Sequence, residues 1–366
     1  MALKAVHVSD VPNLDQVPEN ASLSLCSNRF SSGVLELNRV PFKFPKFQVI
    51  GHRGNGMNML SSSDSRMKAI KENSIMSFNL AANYPVDFIE FDVQVTRDGR
   101  PIIFHDDLIL SEDNGTIYEK RVTELSLSEF LCYGPQKEEE GKKGKCLLRK
   151  TYDGKILKWN VEQDDCVCTL KDAFEKVEAS LGFNIELKFD DHIVYQQDHL
   201  IHVIQCVLEV VVEYAQERPI IFSSFHPDAA LLMRKLQSTY PVFFLTNGGG
   251  EIYYDVRRNS LEEALKVCTE GGLNGIVSEV KGIFRNPGAV SRIKEAKLSL
   301  LTYGKLNNVV EAVYMQHLMG IDGVIVDLVK EITEAVSDIN IIKSNPHFSD
   351  KELSFLFKLI PQLIQA

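Results

Sequence analysis

Between Val86 and Val95 the chain alternates strictly: Ile89, Phe91, Val93 and Val95 share one parity, Glu90, Asp92 and Gln94 the other. Successive strand residues point to opposite faces, so a strand here carries both carboxylates on one face, one pleat apart. Taken alone, such alternation describes an antiparallel strand with one wet side. A second segment, Phe183 to Phe189, repeats it, with Asn184, Glu186 and Lys188 opposite Phe183, Ile185, Leu187 and Phe189. Both segments lie among stretches of helical spacing, where a parallel sheet covered by helices is expected. In a closed barrel the polar parity faces inward. Buried carboxylates without partners are costly, and convergence on a cation accommodates them.

The same patterning predicts the remaining elements. A first strand covers 47–51, a loop 54–71 and a helix 72–84, before the alternating strand at 86–95. Residues 107–165 are polar, contain Gly134-Pro135 and a charge run from Lys137 to Lys145, and read as an insertion with a solvated tip. Helix and strand then alternate: helices 168–180, 198–215, 227–239, 260–270, 287–296 and 306–319 precede strands 183–189, 219–224, 241–246, 273–279, 298–303 and 321–327, and a helix at 328–338 follows. Eight such repeats predict an α/β fold, a (β/α)8 TIM barrel with an insertion after the second strand and its site at the carboxyl ends of the strands. The competing open doubly wound sheet wants a glycine-rich phosphate loop after its first strand. Gly54-Asn55-Gly56 matches that only in part and follows a His-Arg pair. The expected organisation is an irregular lead-in at 1–46, the barrel at 47–340 and a tail at 341–366. The tail opens on the capping-box pattern Ser349 to Glu352 and carries an apolar stripe, Leu353, Leu356, Phe357, Ile360, Leu363 and Ile364. Its polar face is not basic, so it reads as a helix packed on the barrel in preference to a membrane-surface helix.

Composition narrows the class. Across 366 residues, 44% hydrophobic and 25% charged content is that of a globular protein with a sizeable core. A net charge of −10 argues against non-specific nucleic-acid binding and a polybasic membrane anchor. Positive charge for an anionic substrate must then be local, which points to Arg53, Lys188 and a metal. Seven scattered cysteines, Cys26, Cys132, Cys146, Cys166, Cys168, Cys206 and Cys268, read as reduced thiols. No apolar stretch reaches bilayer length, so stable membrane insertion is not expected. The N-terminus lacks a secretory pattern and holds Asp10, Asp15 and Glu19, making the cytoplasm the expected compartment and a plastid the alternative. Oligomeric state stays open at this level.

The polar residues at the apolar-run ends form an ordered set: His52-Arg53-Gly54, Glu72-Asn73, Glu90-Phe91-Asp92, His105-Asp106 and Glu186-Leu187-Lys188. In this order and spacing the chain closely resembles the glycerophosphodiester phosphodiesterase family, within the phosphatidylinositol-phospholipase-C-like barrels. The resemblance runs from about Val49 to Val329 and includes the insertion. Phe222 to Phe225 and Thr302 to Lys305 look like the family's later strand ends, and Gly56-Met57-Asn58 resembles plant members.

The resemblance implies hydrolysis of glycerophosphodiesters, such as glycerophosphocholine or glycerophosphoethanolamine, to sn-glycerol 3-phosphate and an alcohol. It implies Glu90, Asp92 and Glu186 as ligands of a divalent cation, and three carboxylates suit Mg²⁺ or Ca²⁺ over zinc. It implies His52 and His105 as the acid/base pair, since imidazole titrates near working pH. Arg53 and Lys188 become phosphate-binding residues, and Glu72 and Asn73 are grouped with them, orienting Arg53 or approaching the metal. The nucleophile is water or the neighbouring glycerol 2-hydroxyl. Two other readings stand beside this one: a lysophospholipase-D-like enzyme, and a non-catalytic barrel that binds glycerophosphodiesters. The remaining histidines, His7, His192, His199, His202, His317 and His347, are expected to be structural, with His226 at a helix start. Trp159, Phe225 and Tyr303 are expected to be packing residues.

Overall fold

The parity that carries Glu90, Asp92 and Glu186 belongs to a closed parallel sheet. In the computed structural model, which describes residues 41–134, 145–151 and 153–342, eight strands form it: β1 (Gln48–Gly51), β2 (Phe88–Val95), β3 (Gly182–Leu187), β4 (Ile220–Ser224), β5 (Val242–Thr246), β6 (Gly275–Glu279), β7 (Ser299–Tyr303) and β8 (Gly323–Val326). Each pairs in parallel with the next, and β1 pairs with both β2 and β8, which closes the ring. Outside β1–β8 lie helices Ile75–Ala81, Leu170–Lys176, Gln197–Tyr214, Pro227–Leu236, Leu261–Glu270, Gly288–Glu295, Val310–Leu318 and Val329–Ile342. This is a (β/α)8 barrel. Most of the lead-in, the charge run before Lys145, and the tail beyond residue 342 with its apolar stripe lie outside the described residues.

Local signals place the helix starts. Ser74 accepts from the Ser77 amide, Thr169 and Asp172 form a capping box, and His226 caps Pro227–Leu236 by accepting from Ala229. The expected helix at 287–296 is preceded by a further short helix, Val280–Arg285. Glu279 caps it, a start that the strand-like run before it conceals.

Outward-facing residues of the barrel pack under the helices: Phe91 meets Phe78 at 5.2 Å and Phe183 at 5.0 Å. Inward-facing Ile50, Ile221, Phe243, Leu245, Val277, Leu301 and Ile325 fill the interior. Phe42 and Phe44, from the end of the lead-in, pack onto this cluster, edge-on to Phe243 at 6.0 and 6.2 Å. One pleat nearer the carboxyl ends the same inward parity turns polar: Ile50 is followed by His52, Phe88 by Glu90 and Asp92, Ile325 by Asp327. The apolar layer carries stability; the polar layer is left for chemistry.

The segment expected to be a polar insertion has its own core. Leu108–Asp113, Thr116–Arg121, Leu147–Lys150 and Ile156–Lys158 form a four-stranded antiparallel sheet. Ile109, Val122, Leu125, Phe130, Tyr133, Leu147 and Trp159 bury themselves with Ile102 and Phe104. Its apolar residues are separated by turns and each strand covers only one face, so no sustained period betrays them.

Because Phe42 and Phe44 pack at the end of the barrel away from the polar layer, replacing both by Ala should lower stability by on the order of 2–4 kcal/mol. Activity per folded molecule should stay unchanged. Denaturant unfolding alongside turnover checks this; an equal fall in both would contradict it.

Candidate active site

Glu90 and Asp92 occupy alternate positions of β2, and the parallel register sets Asp92 beside Glu186 of β3. Carboxylate oxygens of the three lie within 4.8 Å of one another, all deep in the barrel mouth. Burial and the neighbouring Asp92 charge push the Glu90 carboxyl up to about 8. Burial raises Glu186 as well and the Asp92 charge adds to it, although Lys188 pulls the other way. Asp92 goes down: burial opposes ionisation, but His105, Arg53, Lys188 and the Asn73 amide outweigh it. Like charges this close cannot all ionise without a counter-charge. Glu90 Oε1 is buried and has no hydrogen-bond partner among the described residues. An orphaned acceptor beside two further carboxylates is the donor set of a hard divalent cation, so the residues fit a metal.

Two histidines flank the triad, each fixed through Nδ1 by an aspartate. His52 Nδ1 lies 2.7 Å from Asp327 Oδ1, and its Nε2 is 3.9 Å from Glu90 Oε2. His105 Nδ1 lies 2.7 Å from Asp106 Oδ1. The His105 segment is anchored by Gln94, whose amide donates to the Phe104 and Asp106 carbonyls at 2.8 and 3.0 Å. The two rings differ electrostatically. Burial presses both toward the neutral form, but the charge and hydrogen bond of Asp327 reverse this at His52, which ends above an ordinary histidine. At His105, burial together with Arg53 and Lys188 prevails and lowers it to about 4.

Arg53 sits in the left-handed region at φ 50°, and its backbone amide donates to Glu90 Oε2 at 3.0 Å. Its guanidinium pairs with Glu72 Oε1 at 2.7 Å and lies 3.3 Å from Asp92 Oδ2. Gly56, at φ 111°, brings the loop so close to Asp327 that a Cβ would strike the Asp327 carbonyl. Lys188 Nζ lies 3.3 Å from Glu186 and 3.9 Å from Asp92.

Glu72 and Asn73, grouped by sequence with the substrate-binding residues as orienting Arg53 or approaching the metal, both contact other side chains of the site. The Glu72 carboxylate is held by Arg53, Arg149 and the Asn58 amide, and it is among the most buried side chains of the site. Its two oxygens are thus engaged by the guanidiniums of Arg53 and Arg149. Asn73 donates to Asp92 Oδ2 at 2.8 Å and orients that carboxylate.

Sequence reasoning passed over Asp327, Asp106 as a histidine partner, Arg149 and Asn308. Asn308 donates to Asp327 Oδ2 at 2.8 Å and accepts from the Asp327 amide at 2.7 Å. Asp327 carried one usable signal, a lone acid directly after the last apolar strand. Trp159 is buried; its Nε1 donates to Asn58 Oδ1 at 2.9 Å. Phe225 and Tyr303 stack edge-on at 5.8 Å above the interior cluster. His199 stacks on Tyr195, away from the triad. Cys132, Cys168 and Cys206 are free thiols.

Comparisons with known proteins agree with this geometry. The model of the glycerophosphoryl diester phosphodiesterase family matches residues 52–331. The chain is 64% identical to the chloroplastic glycerophosphodiester phosphodiesterase GDPD1 of Arabidopsis thaliana, over the full length of both. It is 32% identical to glycerophosphocholine phosphodiesterase gde1 of Schizosaccharomyces pombe, over 79% of this chain and 28% of that one. Its fold is similar to that of a phosphodiesterase from Oleispira antarctica, solved with the product sn-glycerol-3-phosphate, at TM-score 0.56 and 22% identity, covering 79% of this chain and 96% of the other. Because the family match runs over most of the chain, from residue 52 to residue 331, and the likeness to GDPD1 covers its full length, the chain belongs to the glycerophosphoryl diester phosphodiesterase family of phosphoric diester hydrolases.

Proposed function

We propose that this enzyme hydrolyses small glycerophosphodiesters, glycerophosphocholine and glycerophosphoethanolamine among them, to sn-glycerol 3-phosphate and the free alcohol. The observation that carries the reading is the buried triad Glu90, Asp92 and Glu186 between two aspartate-fixed histidines. The triad would hold Mg²⁺ or Ca²⁺, which when bound supplies positive charge to a phosphate oxygen and offsets charge in the transition state. Arg53 and Lys188 add fixed positive charge beside the triad, and Glu72 and Asn73 keep Arg53 and Asp92 in position.

The histidines divide the proton work. His105, lowered to about 4, is neutral over the working range and accepts the proton of the nucleophile, water or the glycerol 2-hydroxyl. The nucleophile bonds to phosphorus, and the bond from phosphorus to the alcohol oxygen breaks. Attack by water gives sn-glycerol 3-phosphate directly, whereas attack by the 2-hydroxyl gives a cyclic glycerol phosphate that a water then opens, with the two histidines exchanging roles. His52, raised by Asp327, keeps its proton to higher pH than an ordinary histidine and gives it to the departing oxygen.

A lysophospholipase-D-like activity is favoured by one observation. Val194, Ile252, Tyr254 and Val256 are exposed apolar residues on loops that follow β3 and β5, at the barrel's carboxyl end. As to compartment, no helix among the described residues is long and apolar enough to cross a membrane. The likeness to a relative named chloroplastic supports the plastid over the cytoplasm.

In an assay of glycerol 3-phosphate release, glycerophosphocholine should be turned over with Mg²⁺ or Ca²⁺, and EDTA should abolish release. His52→Ala and His105→Ala should each cost at least about 10²-fold while leaving the fold intact. Near-normal activity in both variants would remove the catalytic assignment. Lysophosphatidylcholine in the same panel should be the poorer substrate; preference for it would favour the alternative activity.

The pH profile offers an independent check. Activity needs His105 neutral and His52 protonated, so it rises with pH through the His105 value and falls as His52 loses its proton. Asp327→Asn removes the largest contributions that raise His52, leaving burial opposed by the weaker Glu90 charge, so the alkaline limb should move to lower pH. An unmoved or upward-shifted limb would count against His52 as the acid. For compartment, a fluorescent fusion of the full chain in leaf cells should enter plastids, and diffuse cytoplasmic signal would restore the cytoplasmic expectation.

A further inference from the structure

The insertion sends one charged side chain into the wall of the catalytic mouth, and that side chain reaches both halves of it. Arg149 NH1 lies 3.0 Å from Glu72 Oε2 and donates to the Asn58 carbonyl at 3.3 Å. Its NH2 donates to Asp106 Oδ1 at 3.0 Å. The other Glu72 oxygen holds Arg53 at 2.7 Å, and the same Asp106 oxygen lies 2.7 Å from His105 Nδ1. One planar guanidinium therefore bridges the carboxylate that sets Arg53 and the carboxylate that sets His105.

Arg149 is itself held. Its guanidinium lies 4.3 Å from the centre of the buried Trp159 ring. The register of Leu147–Lys150 against Leu108–Asp113 and Ile156–Lys158 fixes its backbone. Arg53 and Arg149 face Glu72 and Asp106, and the buried Lys71 amine lies on the same Trp159 ring, 3.8 Å from its centre. Lysine could not substitute, because a point charge on a flexible stem does not span two carboxylates in a fixed plane.

We infer that Arg149 is a positioning residue of the phosphodiesterase reaction: it aligns His105 through Asp106 and Arg53 through Glu72. The insertion is thereby part of the catalytic apparatus. The inference rests on the roles given above to His105 and Arg53.

The test is a double-mutant cycle on the full chain, with kcat and KM measured on the glycerophosphodiester that the wild type turns over fastest. Arg149→Ala should lower kcat on the order of 10²-fold, the cost of misplacing a reacting group by about 1 Å. Arg149→Lys should lose less, about tenfold, because it retains charge but not the fork. Asp106→Asn combined with Arg149→Ala should fall further than Asp106→Asn alone, by the Arg53 branch, but by less than the product of the two single losses, since both variants share the His105 branch. Millimolar guanidinium should restore part of the activity of Arg149→Ala.

A purely structural Arg149 would lower the unfolding midpoint while kcat per folded molecule stayed within about twofold of the wild type, well short of the 10²-fold expected of misalignment. That result, or multiplicative losses in the double variant, would overturn the positioning role. If Arg149→Ala does not fold, Arg149→Lys runs the same cycle against Asp106→Asn. An inactive wild type overturns both this inference and the proposed function, whereas an active wild type with unaffected Arg149 variants overturns only the positioning role.

Discussion

Three carboxylates buried within 4.8 Å of one another are the constraint to which the rest of the barrel mouth answers. Taking such groups out of water disfavours their charge, and each one penalises the others. The protein meets the cost partly with fixed cations, Arg53 and Lys188, and partly by leaving Glu90 with a high proton affinity and an unsatisfied oxygen. A cation in their midst relieves what remains. The same field differentiates the histidines. Burial together with Arg53 and Lys188 lowers His105, while at His52 the charge and hydrogen bond of Asp327 overcome burial and raise its proton affinity. One electrostatic problem thus underlies both the fit of the triad to a divalent cation and the contrast between the two imidazoles.

The barrel makes this tolerable by separating tasks along its axis. Toward the amino ends, inward positions are aliphatic and aromatic, closed by Phe42 and Phe44. Toward the carboxyl ends the same parity carries Glu90, Asp92, Glu186, His52 and Asp327. Packing energy is gathered in one layer and charge concentrated in the next, so strain in the polar layer is held by strands already buried on both faces.

The insertion extends this arrangement instead of decorating it. Its sheet and aromatic core form a platform beside β2, and Trp159 and Asn58 carry Arg149 into the wall of the site. Arg149 is the link by which groups on the first loop, Arg53 and Glu72, and on the His105 segment come to share one hydrogen-bonded frame.

What the sequence determined by itself was whatever depends on local periodicity. Alternation of period two in 86–95 and 183–189 put Glu90, Asp92 and Glu186 on inward faces before any contact was known, and the repeated helix–strand rhythm counted eight units. Those signals survive because each strand's parity is written in its own residues. The tertiary structure decided the pairings that no local period encodes. Asp327 reaches His52 across 275 residues, and the two are joined only because closure of the barrel makes β1 and β8 neighbours. Arg149 lies in a segment whose polar composition masks a folded sheet, and Phe42 and Phe44 lie in a lead-in without periodicity. Glu72 is the sharpest case: its residue type suited several roles, and only the tertiary structure buries it between two guanidiniums. Spacing along the chain selects faces; chain closure and the packing of the insertion select partners.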